Sequence, residues 1–450
     1  MKVVLFCHHF PPRFRGGTEQ SNWRVAHGLQ RRGHEVVVAT IEPDQSGRLR
    51  PENQVDHSHA FPVIRAHLDL QRTNETYAYR FRNPYLGEWA ADLLREQAPD
   101  LVHVKAGYIL GGTVPEAAFG QGLPTIYTAH DYWYLCPEIA LRRTDGTLCA
   151  APVSPAQCVW CELSRKRRYR VADRASGGRL GRLFTAYHRR SAVGHGPLPA
   201  TLQSDVVMRR SYLQSVFARF DRVITHSHFL RNRYELYGVA ARDWNILENG
   251  LEGVSALRAV RETHRPVETL RIGFLGRIVP LKGVHLLIQA VNQLHAQRRG
   301  YSLTIHGPLD AASPYQQRLR KLAAGNPAIR FAGAYDAAQL PALHGQLDVM
   351  AMPSLVFENL PTVVQEAQAA GTPVVVPDNG SVGEMVDHER NGLKFKFGDA
   401  DDLRRQLQRL LDEPQLVVRL RQAAPPCLSA AEELAALESA YHGVLADRQT

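Results

Sequence analysis

Short apolar runs alternate with helically spaced apolar residues along most of this chain. Residues 2–8 (KVVLFCH) are a near-continuous apolar run and predict a buried strand. The loop HFPPRFRGGTEQ follows, and Trp23, Val25, Ala26 and Leu29 then fall at helical spacing over 19–31, with Gly33 as the stop. HEVVVAT at 34–40 is the next strand, which completes a βαβ unit. The polar stretch 41–84 predicts a strand or two around Ala60–Ile64 and an exposed loop. Further on, Tyr85–Gln97 predicts a helix, and Asp100–Lys105, Pro124–His130 and Phe220–Thr225 predict strands. Asn245–Gly250 ends this series in a strand-end turn, and the charged, unpatterned stretch 252–268 reads as an interdomain linker.

A second series then begins. Leu270–Leu275 and Ser302–Gly307 are strands with an amphipathic helix, Val284–Gln297, between them. Ile329–Ala332, Asp348–Met352 and Pro373–Val376 are further strands, and 401–423 and 429–446 are helices. The pattern predicts the α/β class: two doubly wound domains facing a cleft. The boundaries read as 1–255, a linker at 256–268, a second domain at 269–425, and a C-terminal helix in 426–450 that packs back toward the first domain.

Length and composition add limits. At 450 residues the chain exceeds one core. Its 44% apolar and 22% charged content is that of a globular protein. It has no apolar run of about 20 residues to span a bilayer. The apolar start of MKVVLFCHHFPPRFRGG is too short and too interrupted for a signal peptide, so a cytoplasmic protein is expected. The net charge of +10 is concentrated: residues 165–190 hold ten Lys or Arg against one acid, Asp173. Tyr169, Leu180, Leu183, Phe184 and Tyr187 are interleaved with those cations. Such a mix suits an anionic surface, and an anionic membrane on its inner face is the expected partner. Nucleic acid is not expected, because no nucleic-acid module accompanies the patch.

The chemistry centres on 358–366, ENLPTVVQE. Pro361 suits a helix start, the alanines after Glu366 favour helix, and Gly371 with Pro373 ends it. Glu358 therefore lies on the entering loop and Glu366 inside the helix, five residues and about 7.5 Å beyond Pro361. Two carboxylates so spaced bracket a helix N-terminus, which favours an anion. A ligand with phosphate in the middle and a polyol at each end fits, and a nucleotide sugar is such a ligand. Arg277 and Lys282 flank the loop GRIVPLKG at 276–283, where two cations could hold a diphosphate. His130-Asp131 stands at the C-terminal end of a strand, where α/β proteins place ligand groups. Gly16-Gly17 lies where backbone could approach a ligand, without the G-x-G-x-x-G of dinucleotide sites. Cys136, Cys149, Cys158 and Cys161 have a spacing compatible with a tetrahedral structural zinc site.

The run of Gly16-Gly17, His130-Asp131, Asn249-Gly250, G-R-x-x-x-x-K-G at 276–283 and E-x₇-E from Glu358 to Glu366 resembles the family 4 retaining glycosyltransferases, of GT-B fold with two Rossmann-like domains. HDYWYLCP with the four cysteines is similar to a subset of that family. The resemblance implies transfer of a sugar from a nucleoside-diphosphate sugar to a glycan or lipid-linked hydroxyl, with no cofactor required for catalysis. It implies that Glu366 holds the ribose hydroxyls and that Glu358 and His130 meet the donor sugar. Arg277, Lys282 and the amides around Asn359, Leu360 and Thr362 would meet the diphosphate, with Gly16, Gly17, Asn249 and Gly276 also on the donor side. Two alternatives stay open: another GT-B activity such as a nucleotide-sugar epimerase, and a non-catalytic protein that binds glycan or membrane.

Overall fold

The structure is a computed structural model and describes residues 1–14, 16–190, 200–263, 268–296 and 300–448. The chain forms two compact units. The first comprises 1–226, 230–247 and 434–450; the second comprises 227–229 and 248–433.

The N-terminal unit is built on an eight-stranded sheet of order β3-β4-β2-β1-β5-β6-β7-β8. Its strands are β1 Lys2–Cys7, β2 Glu35–Pro43, β3 Glu52–Asp56, β4 Val63–Leu68, β5 Leu101–Val104, β6 Thr125–Ala129, β7 Arg222–Thr225 and β8 Trp244–Ile246. Every pair is parallel except β3 with β4. The apolar runs of β1, β2 and β5 are buried almost throughout, as parallel strands covered on both faces require. His103 sits inside β5 because both ring nitrogens are satisfied, by the Tyr441 hydroxyl and by Thr128, each at 2.6 Å. Tyr441 belongs to the C-terminal helix Ala430–Asp447. The same helix receives His34 and Arg32 on Glu438, both at 2.7 Å.

The second unit carries a wholly parallel six-stranded sheet, order β11-β10-β9-β12-β13-β14. These are β9 Leu270–Leu275, β10 Tyr301–His306, β11 Ile329–Gly333, β12 Val349–Ala351, β13 Val374–Pro377 and β14 Gly392–Phe395. The helix Val284–Val291 buries six of its eight residues against one face. The helix Thr362–Ala369 lies among Met350, Val374 and Val376 in the core of the other.

Several expectations need correction. Residues 254–263 form a helix rather than a linker, because Val254, Leu257 and Val260 bury into the second unit's core. Residues 264–267 of that proposed linker lie outside the described residues. The division by contacts accordingly falls between Leu247 and Glu248. The helix from Val284 ends at Val291, and Gln297 lies outside the described residues. The helix over 401–423 is two, Ala400–Asp412 and Pro414–Gln422, since Pro414 has no N–H to continue the first. The polar stretch 41–84 is ordered: Arg65 of β4 is buried between Glu42 and Asp56 at 2.7 and 2.8 Å, which secures the antiparallel edge strand β3.

Candidate donor site and acceptor-side residues

The loop after β9 is held by backbone contacts that only glycine permits. Gly283 has φ +67, and a Cβ there would stand 1.8 Å from the Pro353 carbonyl oxygen. Leu355 donates its N–H to the Leu281 carbonyl at 2.8 Å. Gly276, at φ +139, closes onto Gly307, where a Cβ would stand 2.1 Å from the Gly276 carbonyl oxygen. Loop 276–283 is thereby pinned to the segment that leads into ENLPTVVQE.

This register brings Lys282 and Glu358 together. Lys282 Nζ donates to Glu358 Oε1 at 2.6 Å, and Ser354 Oγ donates to the same oxygen at 2.5 Å. The side chains are 23% and 14% exposed, so the pair is half-shielded from water yet reachable. Glu358 Oε2 has no protein hydrogen bond among the described residues. Ser381 Oγ donates to the Glu358 carbonyl at 2.6 Å and fixes the loop from the other side. Arg277 is exposed and makes no side-chain hydrogen bond or ion pair among the described residues.

Pro361 caps the helix Thr362–Ala369 rather than being its first residue. The amides of Leu360 and Thr362 have no acceptor among the described residues, as expected of a helix N-terminus. Glu366 lies inside this helix, and its carboxylate has no protein hydrogen bond or ion pair among the described residues. Burial pushes that carboxyl up to about 7. Burial, together with the charge of Glu366, also raises the Tyr335 hydroxyl. Asn249 is bound to the same helix: Gln365 Nε2 donates to its carbonyl at 3.0 Å. Its side-chain Oδ1 is buried with no hydrogen-bond partner among the described residues.

In the N-terminal unit, Gly16 caps the helix Gly17–Arg31, and a Cβ at Gly17 would meet nothing within 4 Å. His130 Nδ1 lies 3.0 Å from His226 Nε2, and His226 Nδ1 lies 2.7 Å from the Leu247 carbonyl. A carbonyl only accepts, so His226 donates through Nδ1 and accepts at Nε2. His130 then donates through Nδ1 and presents Nε2 as an acceptor. Burial and the neighbouring His226 hold His130 well below the usual imidazole range, so it is neutral. Asp131 turns inward and accepts the Trp133 N–H at 2.8 Å, a local structural role.

The four cysteines line one small cavity, of about 30 Å³. Among the described residues no three His, Cys, Asp or Glu side chains are grouped as ligands. Burial pushes the Cys136 and Cys161 thiols up to about 12. The four thiols thus share one cavity, and the zinc site expected there remains an expectation. The spacing of motifs does not reveal His226, Ser354, Ser381 or Tyr335. Only His226 carried a signal, lying at the end of a predicted strand as His130 does.

Two α/β units, each built on a mainly parallel sheet, with an anion-favouring loop and helix start on the second, have the make-up of the GT-B fold. The comparisons agree. The sequence model for "Glycosyltransferase Family 4" matches residues 15–252 and that for "Glycosyl transferases group 1" matches 258–425. The chain belongs to this glycosyltransferase family. It is 24% identical to a glycogen synthase of Mycobacterium tuberculosis over 94% of this chain and 89% of the relative. An uncharacterized glycosyltransferase of Methanocaldococcus jannaschii is 31% identical over 92% of this chain and 90% of its own. Among solved structures, sucrose-phosphate synthase from Thermosynechococcus elongatus aligns with TM-score 0.65 and 17% identity over 99% of both chains. The Anabaena protein HepE in complex with UDP aligns with TM-score 0.64 and 17% identity, over 98% of this chain and 100% of that one.

Proposed function

We propose that this enzyme moves a hexosyl group from a nucleoside-diphosphate sugar to a hydroxyl of a glycan or lipid-linked acceptor, with retention of anomeric configuration and without a divalent metal. The observation that carries the donor assignment is Glu366: a largely buried carboxylate with no protein partner among the described residues, on a helix whose N-terminal amides are also open. Ribose hydroxyls are the donors it lacks, and a diphosphate is the anion that the amides, Arg277 and Lys282 suit. The HepE structures, named as complexes with UDP and UDP-glucose, and a relative named GDP-mannose-dependent support a nucleotide-sugar donor and leave the base open.

In the proposed step the bond between the anomeric carbon and the diphosphate oxygen breaks, and its electron pair stays on the diphosphate. The acceptor hydroxyl bonds to the anomeric carbon on the same face, and its proton passes to a leaving-group oxygen. The added negative charge is stabilised by Lys282, Arg277 and the amides, a preorganised electrostatic contribution that leaves no step for a metal to supply. Lys282 and Ser354 fix one oxygen of Glu358, and in this reading the second meets a sugar hydroxyl, so the residue positions the sugar and does not attack it.

The test is a thermal-shift panel of UDP, GDP and ADP with their sugars, then product analysis with the donor selected. A true donor at 100 times its Kd raises stability by about 2.7 kcal/mol. NMR coupling at the new anomeric centre should show the donor's configuration, and turnover should survive a chelator. No shift with any nucleotide would overturn the donor site; inversion, or loss of turnover in chelator, would overturn the mechanism.

A further inference from the structure

The segment with the concentrated positive charge forms two helices, Arg167–Ala175 and Arg179–Arg190. The second packs against the helix Pro155–Ser164. Gly181 lies so close to Trp160 that a Cβ would stand 2.4 Å from its Nε1, and Phe184 packs at a tilt against the same indole with centroids 5.0 Å apart. Leu180, Leu183 and Tyr187, at i, i+3 and i+7, form a neighbouring stripe that faces solvent, exposed by 38, 69 and 56%. Val171 of the first helix is 54% exposed as well. Large apolar side chains so exposed mark a contact surface.

The surrounding charge is also uncommitted. Arg165 pairs with Glu138 and Glu162. Arg167, Arg168, Arg170, Arg174, Arg179 and Arg182 form no ion pair with a carboxylate among the described residues. The segment's one acid does not neutralise them: Asp173 Oδ1 accepts the Gly181 N–H at 2.9 Å and shapes the turn between the helices.

We propose that this helix pair is a docking surface for an anionic lipid bilayer, with the arginines at the headgroups and Leu180, Leu183 and Tyr187 in the headgroup–acyl boundary. An amphipathic helix of low overall hydrophobicity, with basic polar face and Leu/Tyr on the other, has the make-up of an interfacial anchor. A hydrated polyanion would neutralise the arginines and leave the apolar stripe in water; a bilayer satisfies both. The binding needs neither donor nor acceptor, so it stands or falls separately from the proposed reaction.

Co-sedimentation of the full chain with vesicles of phosphatidylcholine, alone or with 30% phosphatidylglycerol, tests it. Anionic vesicles should bind far more protein than neutral ones, and the difference should collapse at 1 M salt, where the Debye length is about 3 Å. Replacing Arg167, Arg170 and Arg174 by Ala should weaken binding about a hundredfold, at roughly 1 kcal/mol per residue. L183S/Y187S should weaken it about tenfold or more with unchanged circular dichroism, since both side chains are exposed. Equal binding to neutral vesicles, no binding to anionic ones, or indifference to L183S/Y187S would each overturn bilayer docking. So would preference for an acidic polysaccharide or an acidic peptide over the vesicles.

Discussion

Glu366→Gln separates a ligand carboxylate from a merely buried one. In the free protein burial raises the Glu366 carboxyl to about 7. An unfolded glutamate titrates at about 4.3. The folded state therefore holds more protons than the unfolded state between about pH 4.5 and 7, so stability falls as pH rises through that window. The full loss, about 4 kcal/mol at 1.36 kcal/mol per unit, is reached above pH 7. Glu366→Gln cannot ionise and should be the more stable protein at pH 8 and no different at pH 4.5. Nucleotide binding should run the other way. Ribose hydroxyls donate to the ionised carboxylate, so binding requires the proton to leave. With a free-state pKa of about 7, the ionised fraction rises about tenfold from pH 6 to pH 8, and affinity with it. The nucleoside diphosphate selected by the thermal-shift panel would be titrated calorimetrically at both pH values. The ratio of variant to parent Kd cancels the ligand's own ionisation and should grow about tenfold from pH 6 to pH 8. A ratio that does not change with pH would refute the ribose role, even if the variant binds weakly.

Lys282→Ala should depress kcat more than donor affinity, because charge grows on the diphosphate only in the transition state; steady-state kinetics showing a pure KM effect would contradict this. Gly283→Ala should destabilise the protein by more than about 2 kcal/mol, since the residue has φ +67 and its Cβ would lie 1.8 Å from a carbonyl oxygen; a thermal melt equal to the parent's would contradict the packing. His226→Ala should lower turnover with little change in nucleotide Kd, because it orients the His130 ring rather than touching nucleotide; an unchanged kcat would refute the relay.

Much of this protein is legible in one dimension. The apolar runs of β1, β2, β9 and β13 announce parallel strands because both their faces are covered, so periodicity gives way to plain hydrophobicity. The order of Gly16-Gly17, His130, Arg277, Lys282, Glu358 and Glu366 is what the resemblance rests on, and most of these residues lie at strand ends or on the loops and helix starts that the same runs define. What the sequence could not decide depends on long-range partners. The stretch 254–263 looks charged and aimless until Val254, Leu257 and Val260 find a core to enter. Cys136, Cys149, Cys158 and Cys161 line one cavity, a convergence made by the loop between them that spacing alone does not reveal. Lys282 and Glu358 are 76 residues apart, and their contact at 2.6 Å exists because Gly283 lets one loop rest on the carbonyl of another. Local sequence determines which elements form and where ligand groups can stand. Tertiary packing decides which of those groups meet, because that rests on backbone contacts between segments far apart in the chain.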